Sequence, residues 1–198
     1  MLSVIIPTHN ADRGLSRTLA SLVPASVEGL VKDVVVVDGG SEDKTLQIAD
    51  EAGAAIVRAP RGRGGQLCAG ADAARGDWFL FLHADTVLDP MWNDEVAAFI
   101  ASAGDDGRQA AAFKFALDDD AVRARVIERF VAFRSRVFGL PYGDQGLLIS
   151  RQFYHETGGF RGLPLMEDVD MVRRIGRNRL TLLKTRAVTS AVRYQKYG

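Results

Sequence analysis

A chain of 198 residues is one domain, or one domain with a small appendage, and 47% hydrophobic against 25% charged residues suits a soluble globular protein with a sizeable core. Its 25 basic residues balance 25 acidic ones, which argues against general nucleic-acid binding. One cysteine, Cys68, excludes an intrachain disulfide framework and fits a reducing compartment; no basic leader precedes Leu2 and no apolar run nears the roughly 20 residues of a spanning helix, so a cytoplasmic location is expected and any membrane role would be peripheral.

Leu2-Ser-Val-Ile-Ile-Pro7 reads as a buried strand stopped by Pro7, with Thr8, His9 and Asn10 on the loop after it. Leu15, Leu19 and Leu22 stand at helical spacing, and Pro24 stops that helix. Val34–Val37 is a second buried strand with a polar, glycine-rich exit, Asp38-Gly-Gly-Ser41. Ser41 caps the next helix and Gly53 ends it, and residues 54–58 form a third strand. Arg61-Gly-Arg-Gly-Gly65 is a basic, glycine-rich loop before an alanine-rich helix from Gln66 to about Arg75. Trp78–Leu82, five large apolar residues in a row, reads as a strand buried on both faces that ends in His83-Ala84-Asp85. Asp85 then either starts a turn or cap for the helix Met91–Ala103, or belongs to a ligand site at the strand's end. Strand and helix alternate four times in the first 110 residues, the pattern of a parallel, doubly wound sheet.

The second half is less regular. Residues 110–117 read as a strand, and Asp118-Asp-Asp120 caps a long helix to about Phe138 with Val122, Val126, Phe130, Phe133 and Val137 on one face. The same helix carries Arg123, Arg125, Arg129, Arg134 and Arg136, which makes it either a core-packed helix with a solvated basic face or a contact with an anionic membrane and a lipid-linked acceptor. A glycine-rich loop around Pro141, Tyr142, Asp144 and Gln145 leads to a short strand, Leu147–Ser150, and a helix, Arg151–Thr157. Met166-Glu-Asp-Val-Asp170 opens a basic helix through Arg179, and Leu180–Lys184 and Ala187–Val192 read as closing strands. No linker separates the halves, so the expectation is a single domain over 1–198, with 1–110 binding nucleotide and 111–198 on the acceptor side.

Four polar clusters end the predicted parallel strands: Thr8–Asn10, Asp38–Ser41, Arg61–Gly65 and His83–Asp85. Parallel strands put those ends on one edge, where a carboxylate can accept from a base, glycines admit the backbone closely, and arginines fork onto phosphate oxygens. A carboxylate with a nearby imidazole can hold a divalent ion against a diphosphate. There is no G-x-x-x-x-G-K-[ST] loop and no G-x-G-x-x-G after the first strand, which disfavours P-loop ATPases and Rossmann dehydrogenases. Glu167-Asp168 at a helix start either complements the helix dipole or presents a general base to the pocket.

Val4-Ile-Ile-Pro-Thr-His-Asn10, Val35-Val-Val-Asp-Gly-Gly-Ser-Glu-Asp-Lys-Thr45, residues 62–76, Phe79-Leu-Phe-Leu-His-Ala-Asp85, Gly158-Gly-Phe160 and Glu167-Asp168, in this order and spacing, resemble the family-2 glycosyltransferases over nearly the whole chain. The His-Ala-Asp-Thr form of the metal motif looks like a bacterial subgroup of that family. The resemblance implies the GT-A fold, an α/β, Rossmann-like, mostly parallel sheet flanked by helices with an acceptor-side C-terminal half. It also implies an inverting, non-processive transfer of a sugar from a nucleoside diphosphate sugar to an acceptor hydroxyl, with Mn²⁺ or Mg²⁺. On this chain Pro7, Thr8 and Asn10 would line the nucleoside pocket, Asp38 would bind the base beside Gly39, and Arg61, Arg63 and Ala84 would approach the donor. Asp85 matches the last acid of the D-x-D metal motif, with His83 at its first position; Asp168 matches the general base, with Glu167 beside it, and Gly143, Asp144 and Gln145 would border the acceptor.

Three positions depart from the family pattern. Gly39 replaces the second acid of V-D-D-G-S, His83 replaces the first acid of D-x-D and favours softer ions than Mg²⁺, and Cys68 stands where the family often has Asn, as a small helix residue. The chain ends at Tyr197-Gly198 where members of the family often continue, which leaves room for a further C-terminal element. Two rival readings are a nucleotidyltransferase, which would need a glycine-rich signature after its first strand, and a non-catalytic sugar-nucleotide binder.

Overall fold

The computed structural model describes residues 1–104, 107–119, 121–138, 141, 143–163 and 165–190, and of residues 122, 123, 133 and 136–138 the backbone. Eight strands form one sheet in the order β3-β2-β1-β4-β7-β6-β8-β5. Strands β1 (Leu2–Thr8), β2 (Val31–Asp38), β3 (Ala55–Arg58) and β4 (Trp78–Phe81) pair in parallel and so end on one edge, as the alternating pattern predicts. From β4 the sheet turns mixed: β7 (Leu147–Ser150) is antiparallel to β4 and to β6 (Ala110–Leu117), β8 (Leu180–Thr189) is parallel to β6, and β5 (Thr86–Leu88) is antiparallel to β8.

The apolar runs are buried on both faces because helices cover both sides. Leu2, Val4, Ile6, Leu80 and Leu82 pack under Leu15, Leu19 and Leu22 of α1 (Asp12–Val27) and under Trp92, Val96 and Phe99 of α4 (Trp92–Ser102). On the other face Ile5, Val35, Val37, Phe79 and Phe81 meet Leu67 and Ala71 of α3 (Arg63–Ala73), Phe153 of α6 (Arg151–Glu156), and Met171 and Ile175 of α7 (Glu167–Ile175). Each fully buried side chain of this size contributes about 1.5–3 kcal/mol, which outweighs any local turn preference in a run such as 78–82.

Several boundaries differ from the sequence reading. Pro7 lies inside β1: Ile5 O accepts from Leu82 N, so Pro7 faces the same side two residues on, past the end of β4, where no N–H is required. Pro24 lies inside α1, whose last turn is kept by the buried Ala25 and by Glu28 N donating to Pro24 O. Ser41 does not cap α2 (Thr45–Glu51); the Asp43 carboxylate accepts from Thr45 N and Oγ1, and Ser41 bonds Asp38 instead. Arg63, Gly64 and Gly65 are the first turn of α3, not loop. The closing segment is one strand, β8, and α7 stops at Gly176; the expected strand residues 191–192 lie outside the described residues, as do Asp120 and Tyr142.

In α5 (Val122–Phe138) the inward face carries Ala124, Val131 and Ser135, whereas Val126 and Phe130 are 60% and 65% exposed. Of the expected apolar stripe, Val126 and Phe130 therefore do not lie on the packed face. No helix among the described residues is long and apolar enough to cross a membrane.

Candidate active site

The C-terminal ends of β1, β3 and β4 open into a cleft of about 1030 Å³. It brings together Pro7, Thr8 and Asn10, then Arg61 and Arg63 at the start of α3, then His83, Ala84 and Asp85, and Glu167 at the start of α7. A small adjoining cavity of about 30 Å³, room for roughly one water, shares Pro7, Arg63, His83 and Glu167 with the cleft and adds Gly143 and Asp168. Asp38, Gly39, Asp144 and Gln145 do not line either space.

Asp38 is buried and bonded within the β2 exit. Its Oδ2 accepts from Gly40 N at 2.9 Å and Ser41 N at 3.0 Å, and its Oδ1 from the hydroxyls of Ser41 and of Thr8, the latter at 3.3 Å. Burial pushes this carboxyl up, but the bonds from Ser41, Gly40 and Thr8 outweigh it and hold the group below its ordinary range. Asp38 lines a separate cleft of about 410 Å³ with Ser41, Arg58 and Pro60. Asn10, in the left-handed region at φ 50°, ties the neighbouring loop: its N donates to Ser41 Oγ and its Oδ1 accepts from Glu42 N, both at 2.9 Å.

Gln66 has a structural role that no sequence pattern marks. Its buried amide donates to Thr8 O and Val37 O, both at 2.8 Å, clamping the ends of β1 and β2 together. A Cβ on Gly39 would stand 3.1–3.3 Å from the Gln66 amide atoms. The space where the family pattern places an acid is bordered here by Gln66, which gives the Gly39 departure a physical setting.

The His83-Ala84-Asp85 turn is held from behind by α1. Thr18 Oγ1 donates to Ala84 O at 3.0 Å, and a Cβ on Gly14 would come within 2.9 Å of Ala84 O and Asp85 Cα. Ser190 N donates to Asp85 O at 3.3 Å. Gly14 and Thr18 are ordinary residues of an amphipathic helix in the sequence, and nothing there signals their contact with residue 84.

Glu167 and Asp168 open α7 after Met166, a non-glycine residue at φ 65°. Such a conformation costs about 1–3 kcal/mol and persists where surroundings enforce it. The loop that leads to Met166 is braced at its start, at Gly158-Gly159-Phe160. Phe160 stacks edge-on against Phe81 of β4 at 4.8 Å, its N donates to Tyr154 Oη at 3.1 Å, and its O accepts from the Cys68 thiol at 2.9 Å. Burial pushes the Tyr154 hydroxyl up to about 12 and the Cys68 thiol above its ordinary value, so both stay neutral in this brace.

Glu167 is buried, and its Oε1 lies 3.4 Å from Arg63 Nη1 across the cleft floor. Asp168 Oδ2 accepts from Gly143 N at 2.7 Å. A Cβ at Gly143 would stand 2.8 Å from His83 Nε2 and 3.4 Å from Asp168 Oδ2, so only a glycine lets these two groups share one corner. Gln145 is turned inward, accepting from Ser135 Oγ and donating to Phe113 O, both at 2.9 Å; it anchors the 3-10 turn Gly143–Gln145.

Among the described residues no group of three or more His, Cys, Asp or Glu gathers into a closed metal cage. One carboxylate and one imidazole at the cleft wall, Asp85 and His83, suit an ion that takes its remaining ligands from a diphosphate and water.

A model of glycosyl transferase family 2 matches residues 3–163. Among curated proteins, the chain is 33% identical over 106 residues to an uncharacterized glycosyltransferase of Rickettsia bellii, covering 53% of this chain and 34% of that protein. It is 29% identical over 174 residues to a PGL/p-HBAD biosynthesis glycosyltransferase of Mycobacterium bovis, covering 81% and 59%. The matches thus span between about a third and three fifths of those relatives' lengths. Among solved structures it is similar to glucosyl-3-phosphoglycerate synthase from Mycobacterium tuberculosis in complex with Mn²⁺, UDP and glucosyl-3-phosphoglycerate, with TM-score 0.69, 20% identity and coverage of 96% and 70%. It is also similar to S. aureus TarS 1-349, with TM-score 0.71, 19% identity and coverage of 96% and 60%. These likenesses show the fold, a mixed, mostly parallel sheet flanked by helices as in GT-A glycosyltransferases.

Proposed function

The chain belongs to glycosyl transferase family 2, and from that premise we propose that it transfers a sugar from a nucleoside diphosphate sugar to an acceptor hydroxyl by a single inverting displacement. The observation that carries this reading is the corner where Asp168 faces His83 across Gly143, beside the cleft lined by Arg61, Arg63 and Asp85. A hydroxyl there can lose its proton to Asp168 as its oxygen attacks the anomeric carbon and the bond to the diphosphate breaks with inversion. Gly143 N donates to Oδ2 and orients that carboxylate. Glu167 holds Arg63 at 3.4 Å, keeping a cation beside the place where the leaving diphosphate gathers charge. Asp85 and His83 would hold a divalent ion, which when bound supplies further neutralisation of the diphosphate. Residues 1–110 would form the donor half of a single domain and 111–198 the acceptor half. Asp38, bonded as it is, would act by shaping the β2 exit.

A thermal-shift series with UDP-, GDP- and dTDP-sugars, each with Mn²⁺ or Mg²⁺, tests the reading. Saturation at about a hundred times Kd stabilises by about 2.7 kcal/mol. At this size that is a rise in Tm of roughly 5–10 °C, expected for one base and only with a metal present. If no nucleotide sugar shifts Tm with either ion, the donor reading fails. Binding without transfer or donor hydrolysis would identify a non-catalytic binder instead.

A further inference from the structure

On α5, Val126 and Phe130 form an i,i+4 apolar row, 60% and 65% exposed, and Arg125 and Arg129 form the adjacent exposed row. The helix's one acid, Glu128, is drawn inward: its Oε1 accepts from Leu117 N at 2.9 Å, and Arg125 reaches back to it. The opposite face is already used, with Ala124 and Val131 packed against β6 residues Phe115 and Leu117, and Ser135 bonded to Gln145. An apolar row beside a basic row on a 17-residue helix is the pattern of a segment lying in a bilayer interface, with the arginines at the level of the headgroups.

The helix leads directly to the site. Three residues past its end, Pro141 lines the small cavity with Asp168 and Glu167. The loop entering α7 is apolar and open too: Leu165, which lines the cleft, is 79% exposed and Met166 55%. Both segments that reach the candidate base therefore present large apolar side chains outward, which a sugar or phosphate acceptor in water does not call for.

We propose that α5 seats the protein on an anionic bilayer, so that the acceptor hydroxyl is carried by a membrane lipid. The acceptor part rests on the glycosyltransferase reading; the membrane contact stands independently of it. The anionic partner follows from charge complementarity with Arg125 and Arg129, each basic residue near such a surface adding to the attraction.

The test is co-sedimentation of the 198-residue chain with vesicles of phosphatidylcholine alone or with about one quarter phosphatidylglycerol. The chain should pellet with the anionic vesicles, and raised salt should weaken binding. Val126→Ser with Phe130→Ser should lower the vesicle partition at least about tenfold while leaving the thermal shift by a nucleotide sugar unchanged. Arg125→Gln with Arg129→Gln should lower it on anionic vesicles by a similar factor. A wild-type chain that stays in the supernatant at low salt overturns the proposal. So does a change of oligomeric state in the Val126→Ser, Phe130→Ser variant on size exclusion, which would make this face a contact between copies. Vesicle binding without any nucleotide response would instead sink the donor reading and leave the membrane contact standing.

Discussion

Along the β1–β4 edge, Gln66, Asn10 and Thr18 each bond the backbone of a distant segment, Asp38 bonds the backbone of its own turn, and Gly14 and Gly39 sit where a single added carbon crowds its neighbours. On the loop that leads to the candidate base, by contrast, Leu165 and Met166 are more than half exposed, as are Val126 and Phe130 on α5. The first region is shaped before any ligand arrives, so its affinity is not reduced by ordering side chains. The second has apolar surface still to be covered. On the proposed reading, the donor would meet the pre-formed edge and the acceptor the more open surface.

The largest effect expected lies where the two regions meet. Asp168→Asn should lower the transfer rate by about 10²–10⁴-fold, the usual worth of a positioned general base. Donor binding should persist, because asparagine keeps an oxygen for Gly143 N. Single-turnover transfer beside a thermal shift with donor separates the two, and a wild-type rate would remove Asp168 from the mechanism. Next comes the pre-formed edge itself. Gly14→Val pushes branched carbons into Ala84 O and the Asp85 backbone, overpacking that should cost about 1–3 kcal/mol. Titration calorimetry of UDP with and without Mn²⁺ should show a metal-dependent affinity about tenfold weaker, the equivalent of roughly 1.4 kcal/mol. Leu165→Ser, on the open flank, should change stability by under about 0.5 kcal/mol. Equal destabilisation by the two would break the contrast between rigid edge and open flank.

Gln66 and Gly39 test how far the edge behaves as one unit. Gln66→Ala removes two buried hydrogen bonds, while Thr8 O keeps Gly39 N and Val37 O keeps Thr8 Oγ1, and should cost about 1–3 kcal/mol. Gly39→Ala crowds the Gln66 amide, so it should be milder in the Gln66→Ala background than in the wild type. A double-mutant cycle by urea unfolding should give a coupling of at least about 0.5 kcal/mol; additivity would mean the two positions are independent.

These contacts also mark where sequence reading stops. β1, β2 and β4 are legible because strands buried on both faces read as apolar runs, and parallel pairing, with the exposed edge strand β3 beside β2, then places His83–Asp85 and Arg61–Arg63 on one edge. Glu167 and Asp168 are legible as acids at a helix start. Gly14, Thr18 and Gln66 are not, because each fits a surface made by a segment about 30 to 70 residues away, and no local period encodes that. β5 has three residues and exists through its pairing with β8. In α5 the period identifies the helix, but the face turned inward is set by what β6 offers, and that is room for Ala124 and Val131 rather than for Val126 and Phe130.

A smaller loss than at Gly14 is expected at Asp38, and pH sharpens it. Its folded carboxyl is held below the ordinary aspartate value, so it stabilises the fold above the unfolded pKa of about 3.9. That contribution is lost as pH falls through the folded value. Asp38→Asn trades charge-assisted bonds from Gly40 and Ser41 for neutral ones, a loss of about 1 kcal/mol at pH 7. For a chain of this size that is a fall in Tm of roughly 2–4 °C. Because the variant has no proton to gain at residue 38, the gap from wild type should narrow as pH drops below about 4. Asp43 and Glu95, also held low by hydrogen bonds that outweigh their burial, titrate in both proteins and cancel from the difference. A gap that stayed constant from about pH 7 to about pH 3 would mean that Asp38 acts through shape alone, and the edge would then be rigid without using its buried charge.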